Sequence, residues 1–327
     1  MKAIVCRRFG PIEELRWEDI SRPALGSRQV RVAVKVASLG FMDVLMAQGL
    51  YQLKPDLPYT PGACGAGEVV EVGSEVREVA PGDRVSFLNY FGAFAEEVVT
   101  DVNTVVALPP SLDFEQAATF RLTYSPAYFA LVERVNLRSG ETLLVTGAAG
   151  GVGMAAIRLG KALGATVIAS IGSDGKRDAV LRAGADHVIN YSTEDLRTVV
   201  KSLTAGKGAD VILDVVGGDV FDQCVRCINS LGRIIVMGFT SGRIPTLAMN
   251  YPLLKNCSIV GVFFGGWGMG KNFAAVKDLN AKIIAMAVEG KISVEIGHRY
   301  ELKDTSSAMI KLMDRATVGK IVLTTAP

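Results

Sequence analysis

Glu141-Thr-Leu-Leu-Val-Thr-Gly-Ala-Ala-Gly-Gly-Val-Gly153 decides the fold. Leu143, Leu144 and Val145 form a short apolar run suited to a buried strand, and it stops at a glycine cluster. Beyond it, Val152, Ala156, Ile157, Leu159, Gly160 and Leu163 share one face at helical spacing, and Val167 to Ile171 reads as a second buried strand. Strand, glycine turn, helix and strand make a dinucleotide-binding βαβ unit. Gly147 and Gly150 permit the tight turn, Gly151 carries no Cβ to hold a pyrophosphate off the backbone, and Gly153 lets helix and strand pack closely. The helix start adds unpaired N–H groups and a positive dipole end. A glycine cluster alone also makes ordinary turns; the flanking strands and helix favour the nucleotide site.

Downstream, the alternation continues. Helices are expected over Lys176 to Ala183, Thr193 to Thr204 and Phe221 to Leu231. Strands are expected at Asp186 to Tyr191, Ala209 to Val215, Arg233 to Met237 and Ser258 to Phe264. The pattern predicts a doubly wound, mostly parallel Rossmann sheet over about 121–262. Residues 1–120 differ: Val30 to Val36 alternates, and Gly67 to Gly73, Asp83 to Leu88 and Phe94 to Val99 follow between glycine and proline turns. Such short strands predict an antiparallel, barrel-like body. A short helix is expected over Asp43 to Tyr51, and another over Asp113 to Ala130 with Pro126 at its start or at a bend. Helices from Lys271 to Glu289 and near Asp304 to Ala316, with strands around Arg299 to Leu302 and Ile321 to Thr324, form a tail over 263–327. That tail is expected to return to the first domain, with the active site in a cleft between the two bodies.

Composition narrows the function. Of 327 residues 49% are hydrophobic and 21% charged, as in a compact α/β protein. The net charge of +2, from 35 basic and 33 acidic residues, favours neither nucleic acid nor a charged membrane surface. No apolar run approaches the roughly 18 residues of a membrane span. Met1 to Cys6 looks like a first strand rather than a signal peptide. Five cysteines without disulfide spacing are expected to be reduced, in a cytoplasmic protein. Cys224 and Cys227 have C-x2-C spacing but no second pair to complete a zinc site.

The chain resembles, nearly end to end, the zinc-free quinone oxidoreductase (zeta-crystallin-like) branch of the medium-chain dehydrogenase/reductase superfamily. The likeness rests on Gly49-Leu-Tyr51, Pro61-Gly-Ala-Cys-Gly-Ala-Gly67, Val79-Ala-Pro-Gly-Asp-Arg-Val85, Ala148 to Gly153, Gly184 to Tyr191 and Asp214-Val-Val-Gly-Gly218. It implies a GroES-like β-rich catalytic domain beside the Rossmann domain. It also implies NADPH-dependent reduction of a small apolar or aromatic acceptor, a quinone or an activated alkene. A homodimer or dimer-based tetramer, joined at the strand around Ser258 to Phe263, is implied as well. The cofactor residues it implies are Phe41, Gly150, Gly151, Val152, Ser170, Gly172, Lys176, Tyr191, Val216, Gly238, Phe239, Phe263, Phe264 and Lys320.

Several residues sharpen these expectations. NAD-specific relatives end the second strand in an acid that holds the ribose hydroxyls; here Ser170-Ile-Gly-Ser173 stands there and Lys176 follows, favouring NADPH, with Asp174 a mild counter-signal. Zinc-dependent relatives carry a cysteine at Ser38 and a histidine in the segment after Pro61, neither of which this chain has, so no metal is expected. Within the zinc-free branch, Gly40 replaces an asparagine, Cys64 a glutamate, Arg121 a proline, and Ser125-Pro126 a Leu-Thr pair. Arg121 is expected to meet an acidic substrate or a cofactor phosphate, or to face water. Tyr51 is the candidate phenol for acceptor positioning or proton donation, or a packed aromatic. Reduction of enones or enoyl thioesters is the enzymatic alternative. A cofactor-binding structural or RNA-binding protein is the non-enzymatic one, though no basic tract with interleaved aromatics supports RNA binding.

Overall fold

The computed structural model describes residues 1–268, 272–314 and 317–325. The chain divides into two units: Met1–Leu122, Gly268–Val288 and Ser293–Pro327 form the first, Thr123–Trp267 and Glu289–Ile292 the second.

The first unit opens with strands β1 (Lys2–Val5), β2 (Arg16–Asp19) and β3 (Gln29–Leu39). Helix α1 (Phe41–Ala47) follows, starting before the expected Asp43 and stopping well short of Tyr51. Gln48 caps it and Gly49, at φ +72°, turns the chain away. Strands β4 (Cys64–Val72), β5 (Arg84–Leu88), β6 (Glu97–Asp101) and β7 (Val105–Ala107) come next. Helix α2 (Phe114–Tyr128) does not start or stop at Pro126 but runs through it, and the turn Phe129–Arg134 then widens to π-helical bonding. Proline gives no N–H to the ladder, and the wider turn follows that gap.

The second unit adds β8 (Thr142–Val145), α3 (Gly151–Ala162), β9 (Thr166–Ile171), α4 (Arg177–Arg182), β10 (His187–Asn190), α5 (Leu196–Leu203) and β11 (Ala209–Asp214). It closes with α6 (Gly218–Cys227), β12 (Ile228–Val236), α7 (Asn250–Lys255), β13 (Ser258–Gly261) and α8 (Phe264–Gly268). The helix expected to Leu231 ends at Cys227, and the strand begins at once. Asn229 donates to Asp210 Oδ1 at 2.7 Å, which ties this polar stretch to the neighbouring strand. Leu231, at φ +62°, then makes an irregular turn before pairing resumes at Arg233. The strand expected to reach Phe264 stops at Gly261.

The tail contributes α9 (Phe273–Val288), β14 (Ile296–Glu301), α10 (Thr305–Met313) and β15 (Lys320–Thr324) to the first unit. The expected helix ends at Lys271 and Ala316 lie outside the described residues.

The second unit's sheet is parallel, in the order β10-β9-β8-β11-β12-β13. The order reverses direction between β8 and β11, the switch point where doubly wound sheets bind ligands. In the first unit seven strands form a sheet ordered β14-β15-β3-β4-β5-β7, with β6 also on β3. It is antiparallel except for β14 and β15, which run parallel because α10 crosses between them. The strands of residues 1–120 all pair antiparallel, as expected, and the tail supplies the parallel pair in this sheet. Its core gathers Val30, Val32, Phe87, Phe94, Ile321 and Leu323.

Candidate functional site

The glycine turn lies at the end of β8, on the switch point. Gly147 adopts φ +57°, and its carbonyl accepts from Gly150 N at 3.0 Å, closing the turn. Ala148 N donates to Ser170 O at 3.1 Å, fixing the loop to β9. A Cβ on Gly153 would come within 2.5 Å of Gly147 O and 2.7 Å of the Ala148 backbone, so only glycine lets α3 start this close. At Gly150 a Cβ would meet only Gly147 O, at 3.3 Å. The cradle therefore has the shape a pyrophosphate needs: backbone N–H groups at a helix start with no side chain in front of them.

The glycine loop is bonded to β9, and the end of that strand carries no acid. Ile171 ends the strand, and Gly172 and Ser173 follow where a carboxylate would select NAD. A Cβ on Gly172 would lie 2.7 Å from the Tyr191 hydroxyl, so that ring lies directly on the glycine. Asp174 pairs with Arg177 at 3.4 Å, which offsets its charge. Lys176 sits beside it, half-buried, in the turn leading into α4. Ser170 is fully buried and its Oγ has no hydrogen-bond partner, so it lines the strand interior.

Two residues that sequence reasoning did not single out organise the other side of the switch point. Thr146 Oγ1 donates to Asp214 Oδ1 at 2.5 Å, and the same carboxylate accepts from Val216 N at 3.0 Å and Gly217 N at 3.1 Å. Burial raises the Asp214 pKa, while its hydrogen bonds pull the other way. The carboxylate thus acts as a loop anchor. Thr240 N and Ser241 N donate to Val215 O and Val216 O, which sets Gly238 and Phe239 alongside Val216. The signal was the Asp214-Val-Val-Gly-Gly218 motif, read only as a likeness. Phe239 and Phe263 are exposed. Phe264 is buried against Phe129, which stacks on Trp267 at 4.3 Å between centroids.

In the first unit the departures from the family pattern converge on the corner between β3 and α1. Asp43 is buried; its Oδ2 accepts from Gly40 N at 2.8 Å and its Oδ1 has no partner. Lys320, buried on β15, donates from Nζ to Leu39 O, so backbone groups on both sides of the turn are held. Burial pushes the Asp43 carboxyl up to about 7, and Lys320 opposes the rise. Burial also pushes the Lys320 ammonium down to about 8, against the pull of Asp43. A Cβ on Gly40 would lie 2.7 Å from Leu122 Cδ2, so the asparagine common in relatives would not fit without moving that side chain. Phe41, just after the turn, is exposed.

Ser38 and Cys64 face one another across β3 and β4. Cys64 donates to Ala118 O at 3.0 Å, and burial pushes its thiol up to about 12. Ser38 Oγ is buried without a partner. Among the described residues no three of His, Cys, Asp and Glu gather as a metal-binding group. Tyr51 is half-buried, packs on the first unit's core, and has a phenol pKa raised chiefly by burial. Arg121 does not face water. It is buried, and its guanidinium donates to Thr104 O.

Comparison with known proteins follows the two units. The family model for the alcohol dehydrogenase GroES-like domain matches residues 26–110, and that for the zinc-binding dehydrogenase matches 151–286. A GroES-like body joined to a Rossmann sheet defines an oxidoreductase of the medium-chain dehydrogenase/reductase class. The quinone oxidoreductase-like protein 2 homolog of Nematostella vectensis is 39% identical, covering 99% of this chain and 89% of its own. A quinone oxidoreductase of Pseudomonas aeruginosa is 34% identical over 98% of this chain and 99% of its own. Escherichia coli quinone oxidoreductase, solved with NADPH, superposes with a TM-score of 0.93 at 29% identity, covering 99% of this chain and 100% of that one. The chain belongs to the quinone oxidoreductase branch of this superfamily.

Proposed function

We propose that the protein is an NADPH-dependent oxidoreductase that delivers hydride to a quinone without a metal. One observation carries the cofactor choice: Gly172-Ser173 follows the end of β9 with no acid, and Asp174 is paired to Arg177. Gly150, Gly151 and Val152 would hold the pyrophosphate, and Lys176 with Tyr191 the 2′-phosphate. When bound, the nicotinamide supplies the hydride. Val216, Gly238 and Phe239 would border it, held in place through Asp214.

The donor set argues against zinc. Ser38 and Cys64 stand where zinc-dependent relatives carry a cysteine and, in the segment after Pro61, a histidine, and among the described residues no three of His, Cys, Asp and Glu gather around them. Quinone reduction suits such a site, because hydroquinone oxygens can take protons from water and the enzyme need only position its reactants. Turnover is followed as loss of reduced nicotinamide absorbance with ortho-quinones, para-quinones and enones, NADH serving as control. Quinone turnover with NADPH preferred is expected. Turnover of enones alone would replace this reading with alkene reduction, in which Tyr51, still a phenol at neutral pH, donates the proton.

The protein is further proposed to be a homodimer built by pairing β13 with its copy. This strand ends the second unit's sheet, and Leu253 and Leu254 on the preceding helix are each 75% exposed. Sedimentation should show a dimer, and Ile259→Lys on β13 should dissociate it.

A further inference from the structure

We propose that the first unit contains a buried site for one small monatomic anion of the halide class, chloride under ordinary conditions, with Arg121 as its principal ligand. Arg121 lies on α2 and is 5% exposed. Its Nη1 donates to Thr104 O, but its Nε is buried with no hydrogen-bond partner. Among the described residues no carboxylate forms an ion pair with it. Arg31 shows the usual arrangement: equally buried, it meets Glu71 at 2.9 Å and Glu97 at 3.7 Å.

Among the described residues nothing nearby supplies the missing charge. The one titratable group acting on Arg121 is Cys64, whose thiol is protonated and donates to Ala118 O. Burial lowers the guanidinium only to about 10, so it stays cationic at neutral pH. A buried charge without a counter-charge is strongly destabilising, and a bound anion removes that cost.

The pocket beside it indicates the size of the anion. Leu108, Leu112, Ile283 and Ile284 are among its walls, its polar members are Ser86, Asn280 and Arg121, and its volume is about 10 Å³. That admits one species of roughly water size. Phosphate, sulfate and carboxylates, each with several oxygens, exceed it. Water fits but leaves the charge uncompensated. A weakly hydrated halide suits the aliphatic walls, and Arg121, Ser86 and Asn280 are the lining residues that carry donors.

The full-length protein, transferred to gluconate, would be titrated with sodium chloride at constant ionic strength, and its folding equilibrium read from urea unfolding. The wild type should gain saturably, about tenfold in folding constant at ten times Kd. Arg121→Met should not respond, and neither should Ile284→Phe, which fills the pocket while keeping the cation. A bromide-soaked crystal should show an anomalous peak in the pocket beside the Arg121 guanidinium. Equal chloride responses in wild type and variants overturn the proposal. So does a wild type indifferent to chloride, whether the crystal shows no peak (water then fills the pocket) or binds bromide at crystal concentration only.

Discussion

At Gly147–Gly153 the chain offers backbone N–H groups and keeps side chains away, whereas at Leu39–Asp43 it buries a carboxylate and an ammonium around a backbone turn. The first arrangement tolerates almost no added atom. The second tolerates none of its charges being removed singly, because each moderates the cost of burying the other. A cofactor cradle built from backbone is limited by shape, and a corner built from buried charges is limited by electrostatics. Substitutions at the two places should therefore fail differently.

The largest effect belongs to the cradle. Gly153→Val brings side-chain carbon against Gly147 O and the Ala148 backbone, neither of which can move without opening the turn. NADPH affinity by fluorescence titration should fall more than about 100-fold, with about 3 kcal/mol lost in urea unfolding. Gly150→Ala separates the two components: its Cβ would meet only Gly147 O, at 3.3 Å, which needs a shift of a few tenths of an ångström at most, so stability should fall far less than in Gly153→Val while affinity falls. If both variants lose stability alike, the turn is a packing device, and the contrast with the corner collapses.

Next comes Lys320→Met. It removes the cation that opposes protonation of buried Asp43 and releases Leu39 O, and should cost roughly 2–3 kcal/mol in urea unfolding. A variant as stable as wild type would show that the ammonium holds nothing. Smaller still is Lys176→Ala, expected to weaken NADPH binding about tenfold, or ~1.4 kcal/mol, and leave NADH unchanged. Equal losses for both cofactors would remove Lys176 from the 2′-phosphate.

The same contrast explains what could be read in advance. The cradle is local: strand, glycines and helix are contiguous, so spacing alone exposed it. The corner depends on Lys320 reaching Leu39 across 281 positions, and no pattern along the chain links them. Gly40 read as a lost asparagine; only the packing of Leu122 supplies a steric reason. Arg121 could not be placed for a similar reason, since its burial depends on strands and helices distant in sequence. The exchange of helix for strand after Cys227 went unread because Asn229 acts through Asp210, on another strand.

A separate test of the corner runs through pH. The folded-state pKa of Asp43, about 7, lies above its unfolded value near 3.9. The folded state therefore holds this proton more tightly, and the group's contribution to stability is complete below about pH 4 and declines as pH rises towards 7. Lys320 is depressed instead, so its contribution is present above about 10.4 and is lost as pH falls through about 8, a separate window. Asp43→Asn keeps an oxygen for Gly40 N but removes the titration. Its urea-unfolding free energy should vary less than that of wild type between pH 4 and 7, the difference amounting to roughly 3 kcal/mol. Without the carboxylate, Lys320 loses the charge that favours its ammonium, so its own decline should extend below pH 8. Matching slopes in the two proteins would mean that Asp43 keeps an ordinary carboxyl pKa and that the corner is held by hydrogen bonds alone.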